Sequence, residues 1–553
     1  MKKHKGKVVK RTGDKVGLVK TSGKKQVDSV DNTEKKQSMD NVINITEGEQ
    51  GQIANSGKGK SLLSKKRVKV TLIVVAIVLA VALITTAIVL GVLHANSRNN
   101  RDNTGKYTNL VTKDYQYAMN TNDTEGVLLD GSWMLDLSLD EFEINVSSGF
   151  KVDENLRVKI VDPAAATENS TAVITFKKDG VIFAKVNVKV VSGAKLIKTI
   201  DDLNAIPEGS SDIYLQVDDL DADGKLVNVV NFSGKYYGNH HCIKNLDISE
   251  TKGLFKNLKN ASVYSLSLLE LKGNIVSNET SSIGGIADSA EYTVIEKCVV
   301  NGSFSVKHEN GHASVSVGGL VGSMKGKDKI RETAFIEEIK SCQTNINIDI
   351  ESVGQVFAGG IAGKLIESTV ADGYSFGSIA IRVLKGEELN GIYVGGIGGV
   401  LTKQYSDVQF LNVMDLGEKL YSDCKIVVEV NGGGDGIMIY AGGLYGFLKN
   451  HRLRNAIYKG EFSVKTGYCN AKVGGIVGEA KNTTVLDMSI RSLKVDTRLI
   501  VITSGTVVAG GIIGELSNVT YENVVKTSMP EVTAKTVPAT VGEYVGKEIT
   551  KSN

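Results

Sequence analysis

The first residues to test for chemistry are two histidines flanking a glutamate. The stretch SVKHENGHASVSVGG, residues 305–319, contains His308-Glu309-x-x-His312. On a helix, histidines four apart project from one face and hold zinc together, with the glutamate as general base of a peptidase. Here Asn310 and Gly311 fill the middle positions. Asn-Gly is a poor helix interior and a strong signal for a type I′ hairpin turn. The string therefore reads as a turn whose flanks pair Val306 with Val315, Phe304 with Val317, Lys307 with Ser314 and Ser305 with Ser316. His308 then shares a face with Phe304 and Val306, while Glu309 and His312 lie on the other. In the alternative, a zinc peptidase, a third ligand would come from Glu332, Glu337 or Glu338.

Other candidates are weaker. DLDADG, Asp219–Gly224, places Asp219, Asp221 and Asp223 at positions 1, 3 and 5 of a calcium loop, with the tight-turn glycine at 6. Position 12 is Val230, where a bidentate glutamate would complete the coordination. NHHC, Asn239–Cys242, follows a glycine turn and has no second ligand pair in view. Asp349, Glu351, Glu429, Asp487 and Asp496 are scattered acids of the kind that glycan-cleaving proteins array along a sheet, but most such charges belong to a solvated face. There is no Walker loop, nucleophile elbow or dinucleotide fingerprint. No catalytic, cofactor-binding or metal residue is assigned.

The elements that would carry these residues follow from composition and pattern. The 553 residues include 60 Gly but only 4 Pro and 1 Trp, and 41% are apolar, which suits a β-rich chain with many tight corners. Residues 1–69 hold 18 Lys/Arg against 7 Asp/Glu, and the remainder hold 47 against 55, so the net +3 conceals a basic tail and an acidic body. Between them, Val70 to Leu93 is a run of 24 residues without a charge, preceded by KKRVK. It is long enough to span a bilayer, and the basic flank keeps the N-terminus in the cytoplasm. The sequence thus predicts a disordered cytoplasmic tail (1–68), a transmembrane helix (69–94) and a polar linker (95–125). The tail's charge suits anionic lipid headgroups, and no nucleic-acid partner is assigned. The 5 cysteines are widely spaced and read as buried thiols.

Beyond the linker, residues 126–193 alternate in strand fashion, with Lys178-Asp179-Gly180 as a hairpin turn, and predict a small immunoglobulin-like β-sandwich. The motif TIDDLNAI then suggests a short helix capped by Thr199. From there one theme recurs: IGGIAD, VGGLVG, AGGIAG, VGGIGG, AGGLYG, VGGIVG and AGGIIG. The paired glycines are Gly284 and Gly285, Gly318 and Gly319, Gly359 and Gly360, Gly395 and Gly396, Gly442 and Gly443, Gly474 and Gly475, Gly510 and Gly511. Successive copies lie 34, 41, 36, 47, 32 and 36 residues apart, a variable interval that signals a solenoid. Between copies, columns of like residues align: Ile295, Ile339, Val370, Leu453; Cys298, Cys342, Gly373, Ala456; Phe304, Ile348, Ile379, Phe462; and Val306, Ile350, Ile381, Val464. Such columns are what stacked parallel strands require.

With LIKTIDDLNAI and GLFKNL as lead-in, the repeats resemble the GLUG-repeat family of bacterial cell-surface proteins, which includes adhesins and some immunoglobulin-A peptidases. The resemblance covers roughly residues 195–525 and implies an all-β fold, a right-handed parallel β-helix over 194–530 followed by a tail, 531–553. The first copy departs from the pattern, ending in Asp288 where the others have glycine. The function expected is that of a single-pass, N-in/C-out surface protein, an adhesin or envelope scaffold that presents its β-helix to glycan or protein ligands, not an enzyme. A glycan-active β-helix is the alternative, with the zinc peptidase behind it.

Overall fold

A computed structural model of the chain describes residues 112–549, apart from 135–136, 327–337, 385–390, 404–418, 432–436, 452, 482–488, 496–498, 504–505, 518–519, 527–530, 535–538 and 543. All of these belong to the second of two compact units, Thr86–Asn553. The basic tail, the apolar segment 69–94 and residues 95–111 of the linker lie outside the described residues. Among those described, no helix is long and apolar enough to cross a membrane.

The described chain is nearly all β. Seven strands come first: β1 Lys113–Asn120, β2 Val127–Leu128, β3 Glu143–Val146, β4 Phe150–Val152, β5 Arg157–Ile160, β6 Thr171–Lys178 and β7 Val181–Val191. They form a four-stranded sheet, β1-β7-β6-β3, and a three-stranded sheet, β2-β5-β4. Residues of both sheets share one core around Trp133, Phe142, Phe176 and Phe183. The β6–β7 turn is as the sequence predicts: Lys178 pairs with Val181, and Asp179 and Gly180 take φ of 53° and 82°. The expected linker is corrected, because residues 113–120 pair in parallel with Ala184–Val191 along their whole length. Its polar composition conceals buried Tyr117, Ala118 and Met119. Helix α1, Ile200–Asn204, follows, with the Thr199 hydroxyl accepting from the Asp202 N–H.

The rest of the chain visits four parallel sheets of 14, 9, 8 and 7 strands. One repeat shows the order. Ser281–Gly284 lies in the eight-stranded sheet, Ala287–Glu291 in the nine-stranded, Val294–Glu296 in the seven-stranded and Val299–His308 in the fourteen-stranded, hereafter the long sheet. Each strand pairs with its counterpart one repeat later: Gly284 with Gly318, Ala287 with Val321, Ile295 with Ile339, Val306 with Ile350. The inward residues of all four sheets join one apolar cluster running from Ile197 to Leu516, with Cys298, Cys342 and Cys424 inside it. None of the 5 cysteines forms a disulfide, and all are buried.

Two corners of the repeat use left-handed residues five apart: Asn260 and Ser265, Tyr292 and Lys297, Glu367 and Asp372, Asn450 and Asn455, all with φ of 50–56°. This conformation costs a non-glycine residue about 1 kcal/mol. It keeps the ladder unbroken through the bend: Tyr292 N–H donates to Lys325 O (2.8 Å) and Lys297 N–H to Lys340 O (2.9 Å).

The paired glycines have a different task. Among the described residues, the positive-φ glycines of these repeats lie elsewhere, at Gly302, Gly377 and Gly391. At the pairs, space is short. A Cβ on Gly284 would stand 2.5 Å from Val321 Cα, and one on Gly285 2.7 Å from the carbonyl oxygen of Gly319, its counterpart in the next repeat. The motif's last glycine is as confined: a Cβ on Gly363 would meet Val317 N at 2.6 Å.

Three expectations change. The hairpin flanks around Asn310-Gly311 do not pair with each other: Val306 pairs with Ile275 and Ile350 in the long sheet, and Val315 with Ser281 and Val356 in the eight-stranded one. Parallel neighbours a repeat away outcompete the antiparallel partner across the turn. The aligned columns lack a row, since Ile426 stands between Ile379 and Phe462, and Val428 between Ile381 and Val464. Leu453 also leaves its column, pairing with Ile490 in the long sheet. Last, the supposed tail continues the sheets: Glu531–Ala534, Thr540–Gly542 and Val545–Ile549 all pair with earlier strands, and Gly542 lies opposite Gly510. VGEYVG, 541–546, is an eighth copy with glutamate for the second glycine.

Candidate functional site: a polar face of the long sheet

His308 ends an inward-facing strand position beyond Phe304 and Val306 and is 1% exposed, with Nδ1 at 3.2 Å from Ser352 Oγ. Burial lowers its pKa. Glu309 is exposed and pairs with Lys307 (2.7 Å), and His312 is exposed in the following turn. The residues are not helical, and the two imidazoles do not converge. Of the imagined third ligands, Glu338 belongs to the seven-stranded sheet, while Glu332 and Glu337 lie outside the described residues.

The acidic turn is bonded to its own backbone. Asp219 Oδ1 accepts from Cys242 N–H (3.0 Å) and lies 3.3 Å from His241 Nδ1. Burial pushes its carboxyl up, but the Cys242 N–H and His241 bring it below the usual range. Asp221 accepts from Asn245 and from Asp223 N–H. In NHHC, Asn239 joins the two β units. Its Oδ1 accepts from Ala118 N–H (2.9 Å) and its Nδ2 donates to Ala118 O (3.0 Å), as a neighbouring strand would. His240 packs on Tyr117 (4.7 Å between centroids) and Tyr115 (5.2 Å), and burial lowers its pKa to about 4.

Of the scattered acids, Asp487 and Asp496 lie outside the residues whose side chains are described. The rest fall into register on the outward face of the long sheet. Lys307, Glu351, Arg382, Glu429 and Lys465 form one column in which charge alternates at every strand. Opposite charges directly across a strand pair stabilise it, so this column serves the fold. A second row of side chains, on the eight-stranded sheet, behaves alike. Phe357, Tyr393 and Tyr440 stack at 5.0 and 4.6 Å, with Lys364 over the Phe357 ring and Lys472 over that of Tyr440. Their faces cover one another, leaving little ring face for a ligand. Burial works against the charge of Lys472, yet Glu515 and Glu479 hold its pKa above the ordinary value.

Beside the charged column the outward residues are short and polar, and there the surface recedes into a cleft of about 330 Å³. Its first row is the turn carrying Asp247 and Ser249, its second Lys272 and Asn274. Ser303 and Ser305 form the third row, Asn347 and Asp349 the fourth. Above Ser267–Ser277 the chain pairs at Cys242–Lys244 and stays bonded through Leu246 and Ile248 to Lys272 and through Ser249 Oγ to the Asn274 N–H. Several groups are held in place: Ser249 Oγ accepts from Asn274 N–H (2.8 Å), Asn347 Oδ1 from Ser378 Oγ (2.8 Å), and Asp349 Oδ2 from Arg382 (2.9 Å). Asp349 Oδ1 has no partner.

Sequence reasoning singled out Asp349 alone of these residues. The available signal was the alternation of short polar residues in SFSV (303–306) and NINIDI (345–350), where each outward position carries Ser, Asn or Asp. No family model and no curated protein matches the chain. A solved structure of a proposed immunoglobulin A1 protease from Bacteroides ovatus is similar over 65% of this chain and 84% of its own, at 15% identity and a TM-score of 0.29. Superposition that loose carries no weight for fold or activity.

Proposed function

We propose that the chain is a membrane-anchored surface protein, N-terminus inside, whose β-rich body is a GLUG-type right-handed β-helix offering a binding face to glycans or proteins. In this reading residues 112–193 are an immunoglobulin-like stalk and the run 69–94 is the anchor. The observation that carries it is the outward face of the long sheet, where small polar residues repeat strand after strand beside a self-neutralising column of charge. Solenoids use such repeated faces for binding. Hydrolysis is disfavoured by spacing. Asp247 and Asp349 stand three strands apart, about 14 Å at roughly 4.8 Å per strand. Paired glycosidase carboxylates lie within about 10 Å.

The full chain should therefore bind components of a glycan and protein array, and should neither degrade glycans or casein nor change on Glu309→Gln. Turnover of either substrate class that is lost in Glu309→Gln would replace this reading with an enzymatic one.

A further inference from the structure

We propose that the cleft between Asp247 and Asp349 is a binding subsite for an uncharged sugar. The inference rests on the binding-face reading above and names the ligand class for one place on that face.

Charge is the first argument. The two carboxylates are each matched: Lys272 is the in-register neighbour of Asp247, and Arg382 bonds Asp349 at 2.9 Å. The site has no net charge to attract a phosphate, a polyanion or a basic peptide, which would be recognised by an excess of one sign.

The second argument is the donor and acceptor set. Among the described residues, the cleft is lined by Phe304 and Gly273 and by side chains that carry hydroxyl, amide, carboxylate and ammonium groups. Sugar hydroxyls each donate one hydrogen bond and accept others, so they need both kinds of partner close together. Asn347, its oxygen engaged by Ser378, is turned so that its NH₂ remains to donate. Asp349 is held by Arg382 through Oδ2 and its Oδ1 is buried, so the acceptors open to a ligand are the exposed Asp247 carboxylate and the hydroxyls of Ser303 and Ser305. Ser303 and Ser305 between them are small enough to leave room. The volume, about 330 Å³, lies at the small end of ligand sites and suits one or two sugar rings.

The third argument is preorganisation. The acceptor and donor groups sit on in-register strands and on a turn pinned by Ser249 to the backbone of Asn274. Little ordering remains to be done on binding.

The test uses the full chain and measures binding of maltotriose, cellotriose and chitotriose, with inorganic phosphate and a heparin fragment as charged comparators. Ser305→Trp fills the cleft from an exposed position and leaves the inward core untouched; Lys425→Trp, outward on the same sheet, is the control. At least one neutral trisaccharide should bind, Ser305→Trp should weaken it tenfold or more, and Lys425→Trp should leave it within twofold. If a neutral sugar binds equally well to Ser305→Trp, or if only phosphate or heparin binds, the cleft is not the subsite. An array ligand retained by Ser305→Trp would sink this inference and leave the binding-face reading standing, whereas a chain binding nothing on the array would sink both.

Discussion

Asp288 stands where the seven later copies carry glycine, and the reason lies in what precedes it. Gly363 packs against the backbone of a strand in the previous repeat. The eight-stranded sheet begins at Ser281–Gly284, so Asp288 has only the Lys252-Gly253 turn before it, and a side chain fits. It fits at a cost: the residue is 8% exposed and Oδ1 lacks a partner. Burial, only partly offset by Lys252 and Lys256, raises its pKa to about 8. A carboxyl that stays protonated in the fold contributes fully below about pH 4, and stability then falls as pH rises toward 8. Asp288→Asn should remove that decline, adding several kcal/mol at pH 8 and little at pH 4. Urea unfolding at the two pH values reads the difference, and equal gains at both would refute the protonated state. The paired glycines invite a simpler comparison. Gly285→Ala forces a Cβ to 2.7 Å from Gly319 O and 2.9 Å from Leu271 Cδ2. It should cost about 1–3 kcal/mol as overpacking does, while Gly467→Ala, with nothing within 4 Å, should be near neutral.

At the scale of elements, β1 is the strand whose placement matters most. One edge pairs with β7, and the other lies against a column of left-handed corners. Asp114 meets Lys297 (3.4 Å), the carbonyl of Gln116 accepts from Ser265, and Ala118 exchanges two bonds with Asn239. Tyr237, Leu215, Ala118 and Val191 close an apolar patch beneath. The first β unit is therefore fastened to the repeats. Asn239→Ala should loosen it, seen as faster amide exchange in 113–120 with exchange in 339–383 unchanged; unaltered protection of β1 would show that the apolar patch alone suffices. His240 adds a pH dependence of known sign. Its pKa in the fold is about 4, below the ordinary 6.5, so the fastening is intact above about pH 6.5 and weakens as pH falls toward 4. His240→Phe should flatten that dependence of β1 exchange.

At the scale of the whole molecule, the repeat is the unit in which stability is built. Removing one full period, residues 319–359, joins Gly318 to Gly360 and returns each strand to an in-register neighbour. That deletion should retain a β-sheet circular dichroism spectrum and a cooperative melt, whereas deleting only 319–338 should abolish both; equal tolerance of the two would overturn the stacking. Much of this was legible beforehand. Strand character, parallel columns, the Asp179-Gly180 hairpin and the Thr199 cap follow from local rules, because period-two alternation, turn chemistry and capping depend on neighbours in the chain. The repeated glycines announced a period because each repeat meets the same steric demand. Other features depend on contacts 30 to 50 residues away, and no local rule reaches them. Val306 and Val315 look like hairpin partners until parallel neighbours claim both. The row of Ile426 and Val428 was hidden by the longest interval, and β1 by its polar composition. The cleft is lined from four rows, around Asp247, Lys272, Ser303 and Asn347, that only the pairing of distant strands brings side by side. The sequence alone determined which segments are strands and how often they recur. Tertiary packing alone decided which surfaces are shared and where one is left open, since a strand's edge is satisfied by whichever partner the stack brings to it.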